Sequence, residues 1–162
     1  MQISNFKDLY IQQLRDLYNA EQQLTKALPK MAEAAQNSDL RQAFQSHLKE
    51  TENQLKRLEK IFTDLNEKPG SHKCEAMQGL VKEGEEIIKN AREGGVRDAG
   101  LIAAAQRVEH YEMAGYGSVR EFARMLGQTE HARLLQETLD EEGQADKKLN
   151  SLAEKINSVA VR

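Results

Sequence analysis

The sequence predicts an all-α fold, a four-helix bundle of two antiparallel hairpins joined by a long crossover that carries an additional short helix. The chain has 162 residues, of which 39% are hydrophobic and only 5% aromatic. Leu, Ala, Glu, Gln and Lys, which favour helices, are abundant, whereas β-sandwiches and barrels need more β-branched and aromatic residues. The length suits one domain, so we assign residues 1–162 to a single helical bundle domain.

The first hairpin is predicted from two periodic segments that are separated by a short turn. Apolar residues recur at helical spacing over about 6–35, and Pro29 is expected to kink or loosen this helix. Ser38 is a suitable N-cap for a second helix that runs to about residue 65. Because the turn between the two segments is so short, these helices are expected to pack against each other in opposite directions.

The second hairpin is predicted in the same way from the segments at about 97–126 and 129–159, with Gly127 as the stop signal between them. Between the hairpins, the Glu-Lys-Pro-Gly-Ser segment at 67–71 breaks the helical pattern, and a shorter helix is expected at 74–90. A connection of roughly thirty residues can span a helix of ~40 Å. A bundle with one long crossover is therefore favoured over a simple up-down-up-down connection.

Composition and charge exclude several classes of function. The net charge is −3 and no Lys/Arg-rich stripe is present, so we expect no nucleic-acid binding. The mean hydropathy is −0.72 and no apolar run is long enough for a membrane span. The N-terminal residues do not resemble a signal peptide, and Cys74 has no second cysteine to pair with. We expect a cytoplasmic protein without membrane association.

Acidic residues interrupt the apolar stripes that should face the core of the bundle. In the first helix Glu21 occupies one stripe position among apolar and aromatic neighbours. In the third long helix Glu109 and Glu112 occupy two successive stripe positions, one turn apart on the same face. The second helix has a polar centre, where His47 lies on the stripe and Glu50 lies on the same side.

The last helix must also bring one acid inward. Either Glu141 or Glu142 falls on its stripe, between apolar positions. The segment 139–142 is similar to 48–51, and Glu50 occupies the position that corresponds to Glu141. We therefore predict that Glu141 is the inward residue.

The register of the two hairpins places these acids at one level of the bundle. Glu21 and Glu50 are 29 residues apart, and so are Glu112 and Glu141. Residues that are equally far from a hairpin turn lie at similar heights on the two helices. The spacing thus indicates two related helical hairpins whose acids meet near mid-length.

Several ionised carboxylates inside a bundle core are unfavourable unless a cation accompanies them. Each isolated buried charge costs several kcal/mol, and neighbouring carboxylates repel one another. Protonation would lessen this cost, but divalent metal ions bind carboxylate oxygens readily. The sequence predicts a carboxylate-bridged site for two divalent ions, with ligands drawn from Glu21, Glu50, Glu109, Glu112, Glu141 and His47.

At these residues the sequence resembles the ferritin-like superfamily and, more narrowly, the YciF-type bacterial stress proteins. The resemblance extends over essentially the whole chain and is carried by Tyr-Asn-Ala-Glu-Gln-Gln-Leu at 18–24, His-Leu-Lys-Glu-Thr-Glu at 47–52, Val-Glu-His-Tyr-Glu at 108–112, and Leu-Leu-Gln-Glu-Thr-Leu-Asp-Glu-Glu at 134–142. It implies a ferritin-like bundle, a homodimer, a di-iron centre and a role in stress. Glu109-x-x-Glu112 is similar to the third-helix pattern of rubrerythrin-type proteins.

Two positions depart from the ferritin-like pattern, in which two helices each supply a Glu-x-x-His pair. Asn53 and Gln144 stand where those histidines would be expected after Glu50 and Glu141. His47, one turn before Glu50, is the candidate to substitute for one of them.

Two functions remain open at this point, and with them the question of whether the protein is an enzyme. The first is a stress-response metal protein with oxidase, peroxidase or metal-handling activity and a small-molecule oxidant, dioxygen or peroxide. The second is a non-catalytic, dimeric interaction or structural stress protein with a vestigial metal site.

Overall fold

The computed structural model describes residues 2–161, and within this range it consists of five α-helices without a strand. The all-α prediction is confirmed, and each helix end lies within two residues of its predicted position. The helices are α1 (Phe6–Ala34), α2 (Ser38–Asp64), α3 (Glu75–Asn90), α4 (Gly95–Met125) and α5 (Thr129–Ala160). Helix α1 continues through Pro29 without a break. None of the helices in 2–161 is long and apolar enough to cross a membrane.

Short polar side chains fix where the helices of the first hairpin begin. The Asn5 side chain accepts a hydrogen bond from the backbone N–H of Asp8 and caps α1. The Asn37 side chain accepts from the N–H groups of Asp39 and Leu40 and caps α2. The prediction that Ser38 is this cap is wrong by one residue, because Ser38 already lies in the helix.

The four long helices surround the core, and α3 covers one side. Helix α1 packs most extensively on α2 and α4 on α5, while α3 lies against α1 and α4. Gly127 adopts a φ of +71°, in the left-handed region that glycine enters without strain, and this ends α4 before the short turn to α5. These contacts agree with the pairing of long helices that the turn lengths predict.

The core consists of two apolar clusters separated by a polar level. Along α1, Leu17 belongs to one cluster and Leu24 to the other, with Glu21 between them. Along α4, Val108 and Tyr116 flank the polar level in the same way. The level itself is formed by buried polar residues from all four long helices: Glu21, His47, Thr51, Gln54, Glu109, Glu112, Thr138 and Glu142. We call the apolar cluster with Val108 the lower cluster and the one with Tyr116 the upper cluster.

Candidate metal centre

Five of the buried polar residues carry side chains that commonly bind metals. Helix α1 supplies Glu21, α2 supplies His47, α4 supplies Glu109 and Glu112, and α5 supplies Glu142. None of the five is more than 6% exposed. The structure thus brings together Glu21, Glu109, Glu112 and His47 as the sequence predicts, but with Glu142 in the place expected for Glu141.

The donor atoms converge closely enough to share a cation. One ligand atom from each of His47, Glu109, Glu112 and Glu142 lies within 4.8 Å of the others. The Nε2 atom of His47 is 3.3 Å from Oε1 of Glu109 and 3.8 Å from Oε2 of Glu142. Imidazole and carboxylate together suit iron and zinc, among other divalent ions.

Most of these donor atoms have no hydrogen-bond partner among residues 2–161. They are Oε2 of Glu21, Nε2 of His47, Oε2 of Glu109 and both carboxylate oxygens of Glu112 and of Glu142. A buried polar atom left unsatisfied costs about 1–3 kcal/mol. Because so many carboxylate and imidazole atoms without hydrogen-bond partners face one another, the residues fit a site for bound cations.

Burial perturbs the protonation of this cluster. Burial, followed by the charges of neighbouring glutamates, raises the pKa of Glu21 and of Glu112 well above the ordinary value of 4.5. Burial and the Glu142 carboxylate act on Glu109 in the same way, so its pKa is also well above 4.5. The pKa of Glu142 is raised mainly by burial, although the nearby His47 opposes the increase. Without a cation, the cluster therefore retains protons at a pH where ordinary carboxyl groups are ionised.

Glu141 does not point into the cluster, so the prediction that it is the inward acid of the last helix is wrong. Its side chain is 27% exposed and forms a bidentate ion pair with Arg57 of α2, at 2.6 Å to each carboxylate oxygen. Glu142 is fully buried because it continues the stripe through Thr138 and Ala145 at spacings of four and three residues. The similarity of 139–142 to 48–51 favoured the wrong neighbour.

Glu50 lies at the edge of the cluster, beside the histidine. Its side chain is 45% exposed, and its Oε2 atom is 3.4 Å from Nδ1 of His47. Burial alone would lower the pKa of His47, but Glu50 and Glu142 raise it above the ordinary value of 6.5. His47 therefore directs one ring nitrogen toward Glu50 and the other toward the buried carboxylates, an arrangement typical of metal-binding histidines.

A solvent-open cavity of ≈ 250 Å³ reaches the cluster between α2, α4 and α5. His47 and Glu109 form part of its wall, and Glu50, Gln144 and Lys148 line it nearer to solvent. A small ion or molecule can thus approach the histidine side of the cluster without unfolding the bundle.

Gln54 lies on the α2 stripe but is not among the site residues that the sequence predicts. Its side chain is fully buried, and Nε2 donates a hydrogen bond of 3.0 Å to Oε2 of Glu141. The signal that was available is its place on the same stripe as His47, seven residues further along the helix.

Known proteins resemble this chain over nearly its whole length. The sequence pattern of the family described as "Domain of unknown function (DUF892)" matches residues 5–161. Protein YciF of Escherichia coli (strain K12) is 47% identical over 160 residues, which cover 98% of the chain and 95% of that protein.

Solved structures show the same helical bundle. The crystal structure of the E. coli stress protein YciF has a TM-score of 0.93 and 46% identity, covering 96% of this chain and 98% of that chain. YcfI of Rhodopseudomonas palustris, described as a candidate structural protein, has a TM-score of 0.88 and 47% identity, covering 92% and 95%. A protein of Xanthomonas campestris pv. campestris has a TM-score of 0.77 at 19% identity, covering 96% and 95%, and shows a similar fold.

Proposed function

Because the chain belongs to the family described as "Domain of unknown function (DUF892)", we propose that it is a ferritin-like metal protein of a stress response. The observation that carries the proposal is the set of buried, converging donor atoms without hydrogen-bond partners in 2–161. The similarity to a protein described as a stress protein supports the biological setting.

The cluster has enough donors for two divalent ions, with iron as the expected metal. Glu109, Glu142 and His47 would hold one ion and Glu21 the other, with Glu112 available to either. When bound, such a pair of ions supplies Lewis-acid and one-electron chemistry toward dioxygen or peroxide.

The protein's own contribution is to orient the donors and limit the access of water. The Glu50 carboxylate contacts Nδ1 of His47 and can accept a hydrogen bond from it. This contact fixes the imidazole ring with Nε2 facing inward. Tyr116 holds one oxygen of Glu21 by a hydrogen bond and leaves the other oxygen for a cation. The apolar clusters on both sides of the polar level limit the access of water, and the cavity beside His47 opens toward solvent.

The direct test is the metal content of protein produced with excess iron. We expect two ions per chain in the wild type and fewer in Glu109→Gln and Glu142→Gln. Glu121→Gln is the matched control, since Glu121 lies on α4 but is half exposed and pairs only loosely with Arg124 at 3.5 Å. A wild-type protein without bound metal, or buried variants that keep full metal content, would contradict the proposal.

A second function is supported by the description of the Rhodopseudomonas palustris relative as a candidate structural protein. In this case the chain would act as a homodimeric interaction protein, and the buried acids would stay partly protonated. Metal-depleted protein would then fold and dimerise normally, and Glu142→Gln would not change its native mass. A dimer that dissociates on metal removal would instead favour the metal protein.

A further inference from the structure

The orientation of the Gln54 amide is fixed by its neighbour on α5. The side chain contacts Oε2 of Glu141 at 3.0 Å. Only the NH₂ group of an amide can donate to a carboxylate, so Oε1 must point away from Glu141. This oxygen is buried and has no hydrogen-bond partner in the part of the chain that the structure describes.

Arg57 in turn holds Glu141 in place. Its guanidinium donates to both oxygens of Glu141 at 2.6 Å and to Oγ1 of Thr138 at 3.2 Å. Bidentate Arg–carboxylate pairs have a defined geometry as well as favourable energy. The Arg57–Glu141 pair is thus a rigid link between α2 and α5, and it determines where the Gln54 oxygen lies.

Gln54 and His47 lie at opposite ends of the polar level. Along α2, His47 follows Phe44 of the lower cluster, whereas Gln54 precedes Leu58 of the upper cluster. Seven residues of helix separate the two by about 10 Å. Helix α2 therefore supplies one side chain that could bind a metal ion at each end of the polar level.

The glutamates of α4 have the same order from the lower to the upper cluster. Glu109 follows Val108 of the lower cluster and contacts His47, whereas Glu112 lies one turn before Tyr116 of the upper cluster. Tyr116 contacts Glu21. This contact places Glu21 at the upper end of the polar level as well.

We infer that Oε1 of Gln54 is a ligand for a second divalent cation, which it binds together with Glu21 and Glu112 at the upper end of the cluster. The inference rests on the proposed metal function. It makes the two positions unequal, because the lower one has an imidazole and faces the cavity, whereas the upper one has a neutral amide and lies nearer to Arg57. The lower position should therefore fill first, and Glu141 and Arg57 act as positioning residues for Gln54.

The test is a titration of metal-free protein with Co²⁺, followed by isothermal calorimetry and by elemental analysis after dialysis. We expect two ions in the wild type, bound in two steps. Gln54→Leu should lose the second ion while the first keeps its affinity, and Glu141→Gln should weaken the second about 10- to 100-fold. Gln54→Glu adds a charged oxygen at the same place and should tighten the second ion.

Gln23→Leu is the matched control. Gln23 is a partly buried glutamine of α1 that donates to Asn19 and to the carbonyl of Cys74, neither of which is a proposed ligand. Its substitution should leave both binding steps unchanged.

The outcomes separate this inference from the proposed function. If the wild type binds no Co²⁺, the metal function itself is wrong. If the wild type binds two ions and Gln54→Leu binds both with unchanged affinity, only the role of Gln54 is wrong. A wild type with a single ion, or a Gln54→Glu variant whose second step does not tighten, would likewise overturn the role of Gln54. A purely structural glutamine would alter the stability of these variants but not the second binding step.

Discussion

The Tyr116 hydroxyl donates a hydrogen bond to Oε1 of Glu21 at 2.5 Å, and both side chains are fully buried. The contact joins α4 to α1 at the border between the polar level and the upper cluster. It satisfies one oxygen of Glu21 and leaves the other, Oε2, without a partner among residues 2–161. The tyrosine therefore orients a carboxylate that the apolar surroundings alone would not hold.

Tyr116→Phe should destabilise the metal-free protein. The substitution keeps the ring but leaves a second oxygen of Glu21 buried without a donor, at a cost of about 1–3 kcal/mol. Urea unfolding of metal-depleted protein measures this loss. Tyr10→Phe is the control, since Tyr10 is equally buried but its hydroxyl is 3.4 Å from Nδ1 of His131. If the two variants lose the same free energy of unfolding, the hydrogen bond to Glu21 stabilises the protein no more than the contact of Tyr10 with His131.

The stability of the metal-free protein should fall as the pH rises. The carboxyls of Glu21, Glu109 and Glu112 have folded-state pKa values well above the ordinary 4.5, so from that pH upward the folded state binds more protons than the unfolded state. The stabilisation that these three carboxyls contribute is therefore fully present below about pH 4.5 and is lost as the pH rises through their folded-state pKa values. The raised pKa of His47 acts in the same direction above 6.5.

Thermal unfolding at a series of pH values, with and without a divalent ion, tests this linkage. A bound cation replaces the protons, so the stabilisation by metal should increase with pH. In Glu142→Gln the dependence on pH should be smaller, because one carboxyl of the coupled cluster is absent. A metal-free protein that becomes more stable between pH 5 and 7 would contradict the raised pKa values.

The sequence predicted the helices well but resolved the site only in part. Glu21, Glu109 and Glu112 could be assigned because each lies on an unambiguous apolar stripe. Glu141 and Glu142 are adjacent and about 100° apart around the helix, so either one can be placed at the edge of a wide apolar stripe. The similarity of 139–142 to 48–51 then led to the wrong choice between them. The partner of Glu141 was also hidden, because Arg57 lies beside the α2 stripe and reaches Glu141 through its long side chain.

Glu142→Gln and Glu141→Gln should have opposite effects on the metal-free protein. Replacing the buried Glu142 carboxyl, whose two oxygens have no hydrogen-bond partner among residues 2–161, should be neutral or stabilising. Glu141→Gln weakens the bidentate pair with Arg57 and should be destabilising. Urea midpoints of the two metal-depleted variants measure the difference. The prediction fails if Glu142→Gln proves the less stable of the two, which would mean that Glu142 has a neutral hydrogen-bonding role.

Glu50→Gln should weaken metal binding without abolishing it. Glu50 contacts Nδ1 of His47 at 3.4 Å, and loss of such a partner typically lowers metal affinity about 10- to 100-fold. His47→Gln should have a larger effect, because it removes a donor. Competition with a coloured chelator gives both affinities. A Glu50→Gln variant as impaired as His47→Gln would indicate that Glu50 itself binds the metal, as the sequence predicted.

Asp98→Asn should destabilise the bundle without affecting metal binding. Asp98 is 3% exposed, and its two carboxylate oxygens accept hydrogen bonds from the backbone N–H groups of Gln36 and Asn37, at 2.9 and 2.8 Å. It thus ties the start of α4 to the turn between α1 and α2. An amide retains only one acceptor oxygen, so one N–H loses its partner, at a cost of about 1–3 kcal/mol.

Urea unfolding and Co²⁺ titration of the same Asp98→Asn preparation separate the two effects. The turn lies at one end of the bundle and the donor atoms lie at the polar level, so local rearrangement at the turn should not reach Glu21 or His47. Gln106→Leu is a suitable control. Gln106 donates an exposed hydrogen bond to Asn150 and a longer, part-buried one to Asp146, so its substitution should change neither quantity appreciably. If Asp98→Asn lowers the Co²⁺ affinity in fully folded protein, the geometry of the cluster depends on the hairpin turn, and the polar level is less rigid than its burial indicates.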